Sequence, residues 1–229
     1  MKLLAISDQV VPQVYDASIK ARFADVDLVL SCGDLPRYYL EYVVTMLNVP
    51  LFYVMGNHGK ELERAHDDGR VTPPGGCKDI DERVVEFGGL LIAGLEGSMR
   101  YKQGPYQYTQ RQMERKAGRL GIKLLRERLL KRRCLDILIT HSPPLGIHDG
   151  QDLCHTGFAA FLGFMQRHQP QYLVHGHSHL YNPLQPTTTH YGSTVVVNAF
   201  PYRLIEVHKR SDRKRETSPL GFRQPGMRS

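Results

Sequence analysis

With 229 residues, 41% of them hydrophobic, the chain is long enough for one globular domain around a single core, and no apolar run approaches the roughly 20 residues that a membrane-spanning helix needs. One Lys and a short apolar run precede Asp8, which reads as a strand rather than a signal peptide, and Cys32, Cys77, Cys134 and Cys154 show no paired spacing, which suits a reducing, cytoplasmic setting. The formal charge of +7 belongs mostly to the end: from His208 to Ser229 seven basic residues face Asp212 and Glu216, a surplus of five, so 1–208 is expected as a domain and 209–229 as a basic, flexible tail.

In chain order, Val/Ile/Leu-rich runs at 2–6, 27–31, 50–54, 83–87, 90–94, 135–139, 171–175, 194–198 and 203–207 read as strands, buried on both faces because they lack strict polar alternation. Between them, 12–24, 37–47 and 156–168 have the length and periodicity of amphipathic helices, with Pro12 suited to a first turn and Thr156 to a cap. Residues 100–133 are strongly basic and predict two helices broken near Gly118 to Gly121, with Met113, Ala117, Leu120, Leu124 and Leu125 as the apolar stripe. The basic residues there read as a solvated face, or else Tyr101, Tyr106, Tyr108 or a nearby Arg borders a pocket for an anionic substrate. Strand, helix, strand in repetition means an α/β architecture with largely parallel central strands. The pair at 83–94 joined by Gly88-Gly89, and the closing pair near the C-terminus, suggest a mixed sheet or two packed sheets.

In an open α/β sheet, ligands bind beyond the carboxyl ends of the strands. Polar residues fall there repeatedly: Ser7-Asp8, Gly33-Asp34, Gly56-Asn57-His58, His141, and Gly176-His177-Ser178-His179. A lone Asp at a strand tip is ordinarily a turn former, and Asn-His in a turn has an ordinary structural reading. Five strand ends in order, each with an Asp, Asn or His, have no core-packing explanation. Carboxylates and imidazoles converging in this way form the ligand set of a divalent metal pair, with Mn, Fe, Zn or Ni as candidates, and such a pair can grip a phosphoryl group from both sides.

These residues resemble the calcineurin-like metallophosphoesterase superfamily, whose pattern is Asp-x-His, Gly-Asp, Gly-Asn-His-Asp/Glu, His and Gly-His-x-His. The chain reads "SDQV", "GD", "GNHG", "TH" and "GHSH" over residues 8–179, and "THSPPLGIHDGQDLCHTG" and "VNAFPYRLIEV" look like its small, single-domain members. The resemblance implies an αββα sandwich of two mixed sheets flanked by helices. It also implies a dinuclear site in which Asp8 and His179 hold the first metal, Asn57, His141 and His177 the second, and Asp34 bridges them. A metal-bridging hydroxide would then attack a phosphodiester or phosphomonoester, with His58 assisting the leaving group.

Two positions depart from the pattern. Val10 stands where a His ligand is usual, which predicts a weak or partly occupied first site, and Gly59 stands where an acid would orient His58. Water, Gln9 or Gln13 are candidates to fill the gap, against a solvent-facing reading of both Gln. In the loop after His141, His148, Asp149, Asp152 and His155 are candidates for turn or cap roles, for the substrate pocket, or for supporting the ligands from behind. His66, His168, His190 and His208 read as surface residues, and His175 matches no part of the pattern. The leading expectation is a hydrolase of a small phosphoester, and the alternative is a weakened or inactive scaffold of the same fold. A nuclease is disfavoured because the excess charge lies on a flexible end. No membrane partner is expected, and the sequence leaves the oligomeric state open.

Overall fold

The computed structural model describes residues 1–58, 72–179 and 185–209. The Gly59, His66 and residue 210–229 expectations therefore lie outside the described residues.

A five-stranded sheet has the order β13-β1-β2-β3-β4, from β1 (Lys2–Ile6), β2 (Leu28–Ser31), β3 (Leu51–Tyr53), β4 (Cys77–Asp79) and β13 (Tyr202–Glu206). All neighbours are parallel except β13 on β1. A six-stranded sheet has the order β11-β12-β10-β9-β6-β5, from β5 (Val84–Phe87), β6 (Leu90–Leu95), β9 (Ile137–Thr140), β10 (Tyr172–His175), β11 (Thr188–Tyr191) and β12 (Thr194–Asn198). Here β5 and β11 are the antiparallel edges. Short strands β7 (Ser98–Met99) and β8 (Gln107–Tyr108) pair with each other.

The unbroken apolar runs follow from burial on both faces. Leu3, Ala5, Leu28 and Leu30 pack inward against Ile92, Ile137, Ile139 and Val174 of the other sheet. The alternate residues Leu4, Ile6 and Val29 face α1 (Ile19–Arg22) and α2 (Arg37–Leu47), through Ile19, Leu40 and Val43. Leu91, Ala93, Leu138 and Leu173 face α3 (Gln110–Lys131) and α4 (Ala159–His168), through Met113, Leu120, Phe161 and Phe164. Helix, sheet, sheet, helix is thus the layer order, and each buried Leu, Ile or Phe is worth about 1.5–3 kcal/mol.

Three predicted helices come out differently. Residues 100–133 hold one helix rather than two: Thr109 and Gln112 close a capping box at its start, and core contact from Met113 to Leu124 overrides the cost of about 1 kcal/mol for each interior glycine. The helix expected at 12–24 shrinks to Ile19–Arg22, because Asp16 and Ser18 close a local turn in which the Asp16 carboxylate accepts from the Ser18 amide at 2.9 Å. The helix expected from 156 starts at Ala159 behind Phe158 as N-cap, since the Thr156 hydroxyl donates to the Asp152 carbonyl at 2.8 Å instead of capping.

One polar cluster is buried under α3. Lys116 meets Asp81 at 2.7 Å, Glu82 at 3.2 Å and Glu96 at 3.2 Å, and Tyr108 donates to Glu96. Burial first, then the Asp81 charge, push the Glu96 carboxyl up to about 7 against the pull of Lys116. Among the described residues, no helix is long and apolar enough to cross a membrane.

Candidate metal centre

The carboxyl ends of β1, β2, β3, β9 and β10 meet along one edge, where both sheets contribute. Asp8, Asp34, His141 and His177 each bring a donor atom there, all within 4.8 Å of one another. Asp8 (φ 62°), Asp34 (φ 54°) and His177 (φ 65°) all leave their strands in the left-handed region, which costs a non-glycine residue on the order of 1 kcal/mol. Close approach adds a second constraint. A Cβ on Gly56 would run into the Asp34 carboxylate, and one on Gly176 would lie 2.6 Å from Asp8 Oδ2 and nearer still to the Ser7 hydroxyl.

The ligand candidates are held from behind. His141 Nδ1 donates to the Cys32 carbonyl at 2.7 Å, which turns Nε2 toward Asp34 Oδ2 at 3.2 Å and Asn57 Oδ1 at 3.0 Å. His177 Nε2 donates to the Cys154 carbonyl at 2.8 Å, which leaves its Nδ1 lone pair free. A backbone carbonyl taking the far N–H is the usual way a metal-ligating imidazole is oriented. Asp34 Oδ1 accepts from the His58 amide at 2.8 Å, and Asp8 Oδ2 accepts from the His177 amide at 2.9 Å and from the Ser7 hydroxyl. His179 is further out: its Nε2 is 3.6 Å from Asp8 Oδ1, and its ring stacks on Phe200 with centroids 4.6 Å apart.

Two carboxylates face one protonated imidazole within the cluster. Burial alone would depress His141, but the Asp34 charge and hydrogen bond, with Asp8 behind them, push it up to about 9. Burial likewise opposes ionisation of Asp34, yet His141 and the His58 amide hold it down to about 2. Burial and the neighbouring His141 charge depress His177 to about 4, which keeps it neutral. The donor set and the imidazole orientations fit divalent ions. Asp8, Asp34, His141 and His177 form one candidate ligand group, with Asn57 Oδ1 beside His141 and His179 at its edge.

The remaining candidates separate clearly. His58 is exposed beside Asp34. Val10 packs, partly buried, against the apolar layer under α2, and Gln9 and Gln13 are exposed. The Tyr101 hydroxyl lies 3.4 Å from the Asn57 amide, whereas Tyr106 packs against the α2 layer and the Tyr108 hydroxyl sits in the Lys116 cluster. The Asp152 carboxylate accepts from His155 Nδ1 at 2.7 Å, and the His155 ring lies 5.0 Å from that of His177.

His148 Nδ1 is 2.9 Å from His175 Nε2, and His148 Nε2 is 2.8 Å from the Thr189 hydroxyl. His175 Nδ1 donates to the Gly176 carbonyl, so this chain of hydrogen bonds ends on the backbone of the Gly-His-Ser-His loop. Sequence reasoning missed His175, and it missed Asn198, which donates to the Ser178 carbonyl at 2.8 Å and pins the same loop. The signal for Asn198 was its place at the end of an apolar strand.

The comparisons with known proteins agree with this fold. The family model described as calcineurin-like phosphoesterase matches residues 1–181. One crystal structure aligns with a TM-score of 0.59 at 18% identity, over 89% of this chain and 94% of its own. The TT1561 protein of Thermus thermophilus aligns with a TM-score of 0.51 at 17% identity, over 86% of this chain and 88% of its own. At these identities the likeness is one of fold. No curated protein matches the sequence. A family match over most of the length makes the chain a member of the calcineurin-like phosphoesterase family.

Proposed function

We propose that the protein hydrolyses a small phosphoester, a phosphodiester or phosphomonoester, in a reaction that depends on two divalent ions of the Mn, Fe, Zn or Ni type. The observation that carries this reading is the Asp8, Asp34, His141 and His177 cluster, three of whose members hold a costly backbone conformation to reach it. Bound ions supply Lewis-acid stabilisation of the phosphoryl oxygens and an activated water.

The protein's own side chains do the rest. Asp34 sits at the centre, with one oxygen toward His141 and the other on the His58 amide, so it fits the shared ligand. That amide contact ties the His58 backbone while its side chain stays exposed, which suits donation to the leaving-group oxygen. Tyr101, at the Asn57 amide, fits a hydroxyl donor to a phosphoryl oxygen. The four cysteines are free thiols, in keeping with a cytoplasmic setting.

Val10 supports a second reading. Its side chain belongs to an apolar layer and brings no donor, so a fold that binds a partner and hydrolyses slowly or not at all also fits. The test is hydrolysis of bis(p-nitrophenyl) phosphate and p-nitrophenyl phosphate with Mn2+ or Ni2+. We expect stimulation that EDTA abolishes and that falls at least a hundredfold in His58→Ala and Asn57→Ala. Hydrolysis equal to wild type in both variants overturns the enzymatic reading and leaves the binding one.

A further inference from the structure

A second group of soft donors lies beside the central cluster. Cys154, His155 and His177 each offer a donor atom, all within 4.8 Å of one another. Cys154 and His155 lie half-buried on the loop between β9 and α4. The Asp152 carboxylate takes the Nδ1 proton of His155 at 2.7 Å, so the lone pair of the neutral ring is on Nε2. A carboxylate behind an imidazole is a recurrent way of raising its basicity and fixing its direction as a ligand. His177 Nε2 is the nitrogen on the cysteine side, because it reaches the Cys154 carbonyl. One thiolate and two imidazoles prefer Zn2+ or Cd2+, whereas the oxygen-rich central set accepts Mn2+ and other harder ions.

We propose that Cys154, His155 and His177 form a soft-cation site that competes with the central cluster for His177. Binding there forms a metal–sulfur bond and releases the thiol proton to solvent. It also needs the Nε2 lone pair of His177, so the proton now donated to the Cys154 carbonyl must move to Nδ1. His177 then has no lone pair to offer the central ions. A zinc-type ion in the cysteine site therefore removes one ligand from the centre and acts as an inhibitor. The inhibition depends on the central reading of His177, while the existence of the thiolate site does not.

The experiment is a Co2+ titration of the full chain, followed by absorption. We expect a near-ultraviolet sulfur-to-cobalt charge-transfer band that is absent in Cys154→Ser, is displaced by Zn2+, and needs about 10–100-fold more Co2+ in Asp152→Asn. In parallel, the Zn2+ concentration that halves Mn2+-supported hydrolysis, taken relative to each protein's own uninhibited rate, should rise at least tenfold in Cys154→Ser. No band, or an equal band in Cys154→Ser, shows adventitious binding and overturns the site. A normal band with equal Zn2+ inhibition in wild type and Cys154→Ser overturns the competition. A band without any hydrolysis sinks the enzymatic reading but leaves the site standing.

Discussion

The Nδ1 nitrogen of His141 is held 2.7 Å from the Cys32 carbonyl, a residue 109 positions earlier in the chain. That contact aims the other nitrogen at Asp34, and the pair then sets the pH behaviour of metal-free protein. His141 is raised from 6.5 to about 9, so its stabilising contribution is complete below 6.5 and is lost as pH rises through about 9. Asp34, depressed to about 2, contributes above 3.8, and that contribution is lost as pH falls through about 2. In EDTA-treated protein the thermal midpoint should fall between pH 6.5 and 9, as up to roughly 3 kcal/mol of stability from His141 is lost. Metal affinity should rise over the same window, because ligation displaces the imidazole proton. Differential scanning fluorimetry with and without Mn2+ reads both; identical slopes would refute the assignment.

Metal titration should give two unequal affinities. Asp34, Asn57, His141 and His177 are gathered and oriented, whereas His179 is 39% exposed with its nitrogen 3.6 Å from Asp8, and Val10 adds no donor. A separation of about tenfold or more follows. His179→Ala should abolish the weaker event in isothermal titration and spare the tighter one, with the reverse order counting against the ligand division.

Gly176→Ala should disturb β1 and β10 together. The new Cβ collides with the Ser7 hydroxyl and lies 2.6 Å from Asp8 Oδ2, on side chains locked by hydrogen bonds to each other. Overpacking of this kind costs about 1–3 kcal/mol. The denaturant midpoint should fall, and metal binding should weaken by more than stability alone explains.

Lys116→Met leaves Asp81 and Glu96 without their cation. Removing one partner of a buried ion cluster costs about 3–5 kcal/mol. Glu96 already binds its proton up to about 7, above the unfolded 4.5, so its ionised form is penalised progressively as pH rises through that range. The loss of stability should therefore be larger at pH 8 than at pH 5 in urea titrations, and a pH-independent loss would argue against the cluster.

The strands were legible because two-sided burial writes a simple signal: "KLLAI" and "DILI" have no other use. The candidate ligands were legible for a related reason, since Asp8, Asp34, Asn57, His141 and His177 each follow such a run. What failed was local. Gly118 and Gly121 argue for a break only if α3 is considered without the sheet beneath it, and Asp16 and Ser18 delay the start of α1 by hydrogen bonds that apolar periodicity does not register. The His148–His175 contact joins residues 27 positions apart, and no periodicity encodes which of eleven histidines will meet.

The contacts behind the metal cluster have a kinetic consequence. Asp8 to the His177 amide spans 169 residues, Cys32 to His141 spans 109, and the Cys32 thiol meets the Val174 carbonyl across 142. Such pairings form only after the long intervening loops have closed, and they belong among the late events of folding. Ions that bind only the completed arrangement slow its opening more than they speed its formation, so metal should lengthen the lifetime of the native state chiefly by holding shut the last seam to close.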